Sequence, residues 1–197
     1  PNTTDAGGRR YRFGNQPEIA QWNQAQFAQP ILPLIGEVEP LQDALNGYTT
    51  DFQHGWQAMM AAKLGWERFE PETDAALVSE LLALLELVET DMTLFHRRLA
   101  EVDVGSATST VATDAELMGP LMDAYYVPDQ LNTDYRARLG SWLRTYRDRV
   151  RKDARPDLER KRQMNAVNPK YVLRNYLAQL AIDRAELGDD SMIHQLL

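Results

Sequence analysis

A chain of 197 residues is long enough for one domain with an ordinary core, because roughly 70% of the unfolded surface can be buried at this size. The absence of cysteine excludes a disulfide framework and a thiolate metal site and favours a reducing, cytoplasmic compartment. The formal net charge of -8 argues against general nucleic-acid binding, and no apolar run approaches the roughly 18 residues of a membrane span.

Apolar residues recur at three- and four-residue steps along most of the chain, which predicts helices. Residues 1–16 have loop composition, and a first helix is predicted over 17–35, where a proline can occupy the first turn. A long second helix is predicted over about 40–64 and ends at Gly65, since glycine favours a helix C-terminus. A leucine-rich pair of helices, or one bent helix, follows over about 72–99 and should be largely core.

The second half of the chain begins with the best candidate for a flexible loop, the hydroxyl-rich segment 103–112. A short helix interrupted at Gly119 and a strongly amphipathic helix come next. A final helix is predicted between Pro169 and Gly188, with one further turn after it. No strand is predicted, so the expected fold is all-α, with a single helical domain over 17–197. The apolar stripe of the amphipathic helix consists of Tyr135, Leu139, Trp142, Leu143, Tyr146 and Val150.

Charge is unevenly distributed, because the segment 135–175 carries a net charge of +9. Clustered arginines can bind phosphate groups with two hydrogen bonds each. Acidic residues are interleaved with the bases, however, so we interpret the segment as a solvated face or as partners of acidic groups within the protein. The alternatives are contacts to a nucleotide, to a missing lobe or to a substrate protein. The bases are Arg136, Arg138, Arg144, Arg147, Arg149, Arg151, Lys152, Arg155, Arg160, Lys161, Arg162, Lys170 and Arg174, and the acids are Asp148, Asp153, Asp157 and Glu159.

Patterns that would indicate catalysis or metal binding are missing from the sequence. His54, His96 and His194 are isolated, without a second ligand at metal-binding spacing. There is no glycine-rich phosphate loop and no nucleophile elbow. Acids such as Asp74 lie at a predicted helix start, where the helix dipole favours negative charge. We therefore predict no catalytic, cofactor-binding or metal-binding residue in this chain.

Two unusual segments lie near the two ends of the chain, at 10–17 and 164–179. The second combines amides and a guanidinium with apolar residues at helical spacing, and such polar groups are costly to bury unless each has a fixed partner. We therefore interpret these polar residues as structural, and we expect the side chains of Asn168, Arg174 and Asn175 to fix the final helix against backbone or acidic groups. The polar residues of this segment are Asn165, Asn168, Arg174, Asn175 and Gln179.

These segments resemble elements of the selenoprotein O (SelO, or YdiU-type) family of protein adenylyltransferases. The family elements read Gly-Arg-Tyr-x-x-x-Asn-Gln-Pro and Asn-x-x-Asn-Pro-Lys-x-Val-Leu-Arg-Asn-Tyr-Leu. Segments 60–65 and 91–99 also resemble the family in the expected order, so the likeness runs from about Thr4 to Leu197. Arg9 departs from the first element, and adjacency to Tyr11 favours Arg10 for its arginine. The matching residues include Arg10, Tyr11, Asn15, Gln16, Pro17, Asn165, Asn168, Pro169, Arg174 and Asn175.

The resemblance implies a protein-kinase-like fold, of the pseudokinase kind, that binds ATP in a reversed orientation and, with Mg²⁺, transfers AMP to Ser, Thr or Tyr of other proteins. Family members place the catalytic lysine, glutamate, Asp-Asn pair and metal-binding Asp-Tyr-Gly before the first element, and only residues 1–9 precede it here. The chain is therefore expected to be the C-terminal helical lobe, inactive alone, with ATP and Mg²⁺ bound by the parent protein. The first element has two compatible interpretations. It could be a capped, hydrogen-bonded entry to the first helix, or residues 1–16 could end a region like the activation segment that lies against the active site.

The partners expected from the resemblance are the missing N-terminal kinase-like portion and the substrate proteins of the parent. The competing interpretation is a noncatalytic helical interaction module whose basic face, residues 136–162, binds an acidic protein or, less favourably, nucleic acid. That interpretation would be favoured if the native gene began near Pro1. Composition and periodicity alone indicate only a soluble helical domain.

Overall fold

The computed structural model of the chain describes residues 7–8, 10, 12–105, 113–170 and 172–197. Within these ranges the protein is all-α, as predicted, and pairing of extended backbone is limited to one isolated antiparallel bridge between Thr90 and Tyr125. Short 3-10 helices lie at Phe13–Asn15, Gly119–Ala124 and Pro128–Gln130. The α-helices are α1 (Gln16–Ile35), α2 (Glu39–Leu64), α3 (Pro71–Leu87), α4 (Met92–Leu99), α5 (Asp114–Met118), α6 (Thr133–Lys152), α7 (Asp157–Val167), α8 (Asn175–Glu186) and α9 (Ser191–Leu196).

The predicted helices are confirmed at most places, and two regions differ. Helix α7 was not predicted, and the final helix begins at Asn175 rather than near Pro169. The extended conformation of Asn168, with φ -91° and ψ 111°, ends α7, since a residue before proline is disfavoured in the α region. Of the predicted loop at 103–112, residues 103–105 lie outside helices and 106–112 lie outside the described residues.

The contacts divide the chain into two compact units, 1–59 and 60–197, while the domain division predicted from the sequence stays a prediction. In the first unit, the Gln21 amide donates to the Thr49 hydroxyl at 2.8 Å, and the Tyr48 hydroxyl donates to the Pro17 carbonyl at 3.2 Å. Helix α1 continues through two internal prolines and ends at Gly36, whose φ is +79°. None of the side chains of α1 is buried.

The core of the second unit is built on α6, whose predicted apolar stripe is entirely buried. The Trp142 indole stacks on the Tyr146 ring at 5.2 Å and donates to the Leu77 carbonyl of α3 at 2.8 Å. The leucine-rich segment forms two helices, because Asp91 caps α4 by accepting from the Leu94 N–H. The expectation that this pair is largely core is met by Leu77, Val78, Leu81, Leu84, Phe95 and Leu99, whereas Leu82, Leu87 and Met92 are exposed.

The C-terminal helices α8 and α9 pack on each other and leave large apolar side chains at the surface. Ala181 is the buried residue of α8. No helix in the described part of the chain is both long and apolar enough to cross a membrane. The exposed apolar residues of this segment include Val172, Leu173, Tyr176, Leu180, Ile182 and Leu187.

Gly65 ends α2, as predicted, in the left-handed conformation with φ +76°. A Cβ atom there would lie 2.7 Å from the Met164 sulfur and 2.8 Å from Arg160 Cγ, closer than real contacts allow. We expect Gly65→Ala to lower the free energy of unfolding by about 2 kcal/mol more than Gly188→Ala, because the control glycine has φ +83° but open space around it. Urea unfolding followed by circular dichroism measures both. Equal losses would contradict the close packing at Gly65.

Candidate functional site

Three of the four segments that carry the family resemblance meet at the C-terminal end of α2. They are the end of α2 itself, helix α4, and the segment that begins at Asn165. Arg97 of α4 donates from Nη1 to the carbonyls of Asn165 and Asn168, each at 2.9 Å. The Asn168 amide donates to the Lys63 carbonyl at 2.9 Å. We call the residues Lys63, Arg97, Asn165 and Asn168 the motif junction.

The motif junction provides hydrogen-bond partners for backbone carbonyls at a helix C-terminus. The last four carbonyls of a helix have no partner within the helix, so another group must bind them. In α2, the Ala61 and Ala62 carbonyls accept from the N–H groups of Trp66 and Gly65. The Lys63 carbonyl accepts from Asn168, and the Leu64 carbonyl accepts from the Tyr146 hydroxyl at 2.9 Å. All four carbonyls therefore have a partner.

Arg97 donates hydrogen bonds to backbone carbonyls at the end of α7. The carbonyl of Asn165 belongs to the last turn of α7, and Asn168 follows the helix as its C-cap. A cation at this position also meets the negative end of the helix dipole. The sequence did not lead us to predict a role for Arg97. The available signal was a basic residue in the last turn of a predicted helix, within a segment that resembles the family.

Arg160 of α7 lies beside the junction and is 1% exposed. Its guanidinium donates to the Asp157 carboxylate at 2.8 Å and to the Tyr146 hydroxyl at 3.2 Å. It also donates to the Ala100 carbonyl at 2.9 Å and the Val102 carbonyl at 3.3 Å. Burial raises the pKa of Tyr146 to about 12, although Arg160 opposes the shift, so this tyrosine stays protonated and donates to α2.

Two more arginines bind the same stretch of backbone. The Arg147 and Arg151 side chains both donate from Nε to the Val104 carbonyl, at 3.0 Å and 2.6 Å. With Arg160, they hold alternate carbonyls from residue 100 to residue 104, just before the segment that the structure leaves undescribed. These guanidinium donors are therefore used to fix a loop rather than offered to a ligand.

A buried ion pair joins α3 to α6. The Arg149 and Asp74 side chains are 4% and 1% exposed, and Nε lies 2.7 Å from the carboxylate. Arg149 also pairs with Asp153 at 2.9 Å and lies over the Trp66 ring, with its guanidinium carbon 5.1 Å from the ring centre. The interpretation of Asp74 as only a dipole-favoured helix-start acid is thus incomplete. An acid and a base separated by 75 residues carry no sequence signal of pairing.

Most other bases of the segment 135–175 also contact groups of the same chain, which supports the interpretation that they serve as internal partners. Arg138 pairs with Glu80 of α3, and Arg144 pairs with Asp114 of α5. Arg136 donates to the Leu131 carbonyl. Further contacts are Arg155 with Gln163, Lys161 with Glu101 and Asp157, and Arg174 with Asp91.

Arg174 and Asn175, which were predicted to be structural, are both exposed. Arg174 lies 3.3 Å from the Asp91 carboxylate, which also accepts from the Tyr126 hydroxyl at 2.8 Å. Partial burial alone would raise the pKa of Asp91, but the hydrogen bonds from the Leu94 N–H and Tyr126 and the charge of Arg174 hold it below its ordinary value. The structural role of Arg174 and Asn175 stays a prediction, whereas Asn168 has the fixed partner that its burial requires.

The remaining predicted motif residues lie in the first unit, apart from Pro169, which is exposed. Arg10 places its guanidinium 4.3 Å from the centre of the Trp22 ring, and the Asn15 amide oxygen accepts from Arg12 at 3.0 Å. Gln16 begins α1, and the Pro17 carbonyl accepts from Tyr48, as described above. Tyr11 lies outside the described residues.

His96 of α4 is 3% exposed, and its Nδ1 donates to the Met92 carbonyl at 2.8 Å. Burial lowers the pKa of His96 to about 4 from 6.5, and the nearby Lys63 ammonium also lowers it, against the raising effect of the hydrogen bond to Met92. Its Nε2 has no hydrogen-bond partner, like the side-chain oxygens of Asn165 and Asn168. The buried interior at and beside the motif junction therefore contains side-chain polar atoms without a hydrogen-bond partner.

His96 should make stability depend on pH. Between about pH 4 and 6.5 the unfolded chain binds a proton that the folded chain excludes, so His96 favours folding above pH 6.5 and this contribution is lost as pH falls toward 4. The total loss should be no more than about 3 kcal/mol. Urea unfolding at several pH values should show that His96→Gln removes this part of the slope. The exposed His54→Gln variant should retain it, and a parallel slope in both variants would contradict the assignment.

Histidines and acids are scattered among the described residues. No group of three or more histidines or acids among them is arranged to hold a metal ion. A shallow pocket of about 380 Å³ lies near the end of α3, and its one arginine, Arg138, is already paired with Glu80. The arrangement can join helices and hold a loop, which is a structural task. The pocket is lined by Leu87, Val88, Gln130, Asn132, Asp134, Tyr135 and Arg138.

Comparison with known proteins gives one consistent family. The profile of a family described as "Protein adenylyltransferase SelO" matches residues 1–197. A relative from Rhodopirellula baltica named "Protein nucleotidyltransferase YdiU" is 50% identical over 201 residues, which cover all of this chain and 37% of the relative. Relatives of the same name from Aromatoleum aromaticum and Azoarcus sp. are 46% and 45% identical, again over all of this chain and 36% of their own length. The chain thus spans little more than a third of the relatives it matches.

Proposed function

Because the chain belongs to the SelO family of protein adenylyltransferases, we propose that it is the C-terminal helical lobe of a kinase-like enzyme that transfers AMP from ATP to Ser, Thr or Tyr of other proteins. The observation that carries this proposal is the family match over all 197 residues, combined with coverage of only 37% of the first relative. The remaining portion, which we place N-terminal to this chain, would be its partner in the same polypeptide, and the whole would act in the cytoplasm.

In this proposal the chain supports the enzyme without touching the reacting atoms. ATP and Mg²⁺ would be bound by the N-terminal portion, because the described residues do not fit them. Their acids and histidines form no cluster that could hold a metal ion, and the buried arginines Arg149 and Arg160 already donate to groups of the chain. The polar network described above instead suits a rigid support that joins helices α2, α4, α6 and α7.

The test compares two proteins, the 197-residue chain and the whole polypeptide that contains it. Each is incubated with Mg²⁺ and ATP labelled on the α-phosphate, together with a generic protein acceptor. The whole polypeptide is expected to transfer labelled AMP, and the 197-residue chain is expected to transfer none. Robust transfer by the chain alone would overturn the support role, and no transfer by the whole polypeptide would overturn the proposed activity.

The competing interaction module is less well supported, because most of the bases that would form its basic face contact groups of the same chain. A fluorescence-anisotropy titration with duplex and single-stranded oligonucleotides at two salt concentrations tests the nucleic-acid-binding form of this module. Binding weaker than about 10⁻⁶ M is expected, as for nonspecific binders. Submicromolar binding that persists at about 0.15 M salt would favour the interaction module.

A further inference from the structure

Helix α1 is almost free of charged residues, although none of its side chains is buried. Of its 20 residues, Glu18 is the one that carries a charge. A helix that faces water on one side usually carries charged residues there. The polar residues of α1 are otherwise uncharged amides such as Asn23 and Gln26, which can be buried with hydrogen bonds and without an unpaired charge.

One side of α1 carries a continuous apolar stripe formed by Phe27, Pro30, Ile31 and Leu34. Their spacing of three and four residues places them on one face. Phe27 is 67% exposed and Leu34 is 85% exposed, while Ile31 is partly buried. This spacing is the one by which a helix anchors in an apolar groove of a partner. A stripe of large exposed side chains marks an interaction surface rather than a solvated one.

We propose that this stripe docks onto the part of the same polypeptide that lies outside these 197 residues, an inference that rests on the proposed function. Relatives that match the whole of this chain have nearly two thirds of their length elsewhere, which is ample to form a covering surface. The lack of charge on the stripe argues against an electrostatic partner such as nucleic acid. It fits an apolar groove in the interior of a larger protein.

The chain contains no cysteine, so a single introduced thiol reports on one position. Leu34→Cys is chosen because the side chain is almost fully exposed and its loss should not disturb the fold. Alkylation is followed peptide by peptide by mass spectrometry in the 197-residue chain and in the whole polypeptide, so cysteines elsewhere do not interfere. Ser79→Cys, on the exposed surface of α3, is the control for a general change in reactivity.

Leu34→Cys is expected to react at least tenfold more slowly in the whole polypeptide than in the 197-residue chain, while Ser79→Cys changes less than twofold. Equal rates for Leu34→Cys in the two proteins, or equal slowing of both variants, would overturn the docking surface. If labelling of the 197-residue chain slows with its own concentration and sedimentation shows a dimer, the occupant is a second copy and the proposal is wrong.

AMP transfer by the same whole-polypeptide samples separates this inference from the proposed function. Protection of Leu34→Cys without AMP transfer would support the docking surface and overturn the proposed activity. AMP transfer with an unprotected Leu34→Cys would support the activity and overturn the docking surface.

Discussion

Arg160→Met is expected to lower the free energy of unfolding by about 4 kcal/mol, because it removes the buried guanidinium that binds Tyr146 of α6 and the backbone after α4. Methionine has a similar length and fills much of the same space. It cannot donate to the Ala100 and Val102 carbonyls, and each buried carbonyl left without a partner costs roughly 1–3 kcal/mol. The Tyr146 hydroxyl loses its contact with Arg160 but still donates to the Leu64 carbonyl. Urea unfolding followed by circular dichroism measures the change.

The matched control is Arg162→Met, which removes the same side chain two residues further along α7 at an exposed position. This control should change the free energy of unfolding by less than about 0.5 kcal/mol. Similar losses for the two variants would mean that the cost reflects helix propensity or charge in α7. The assignment of Arg160 as the buried support of the loop would then be wrong.

Asp74→Asn should cost about 3 kcal/mol, because Arg149 loses the more deeply buried of its two counter-charges. Asparagine keeps the shape of the side chain, so the variant tests charge and hydrogen bonding rather than packing. Asp153 remains beside Arg149 but holds a single contact to it at 2.9 Å. The loss should appear as a lower urea midpoint with an unchanged dependence on urea concentration.

Glu72→Gln is the control for Asp74→Asn, because Glu72 is an exposed acid in the same first turn of α3. If the helix dipole accounted for the effect, both variants would lose roughly 0.3–1 kcal/mol. A loss at Asp74 no greater than the loss at Glu72 would therefore contradict the role of the buried ion pair and restore the simpler interpretation.

The all-α fold could be predicted because apolar residues recur at helical spacing along most of the chain, and in α3, α4 and α6 this spacing marks a buried face. Helix α7 was missed for the opposite reason. Its two buried residues are Arg160 and Met164, so one of the two residues on its buried face is charged. A pattern of apolar residues cannot reveal a helix that buries a guanidinium.

The candidate site was predictable only in part. The sequence indicated that Asn168 needs a fixed partner, and the structure provides the Lys63 carbonyl. It also suggested burial for Arg174 and Asn175, which are exposed, because the apolar residues around them lie on the surface of α8 rather than in a core. The pairing of Asp74 with Arg149 depends on how α3 packs against α6, and no local pattern records that packing.

The last two carbonyls of α2 accept hydrogen bonds from side chains that come much later in the chain, and this order has a consequence for synthesis. Tyr146 lies 82 residues after Leu64, and Asn168 lies 105 residues after Lys63. A ribosome adding roughly 5–20 residues per second needs about 5–20 s to make the intervening chain. Throughout that interval the end of α2 has no tertiary partner for these two carbonyls. Chains released early, before Asn168, would keep this end open and would be substrates for chaperones and proteases.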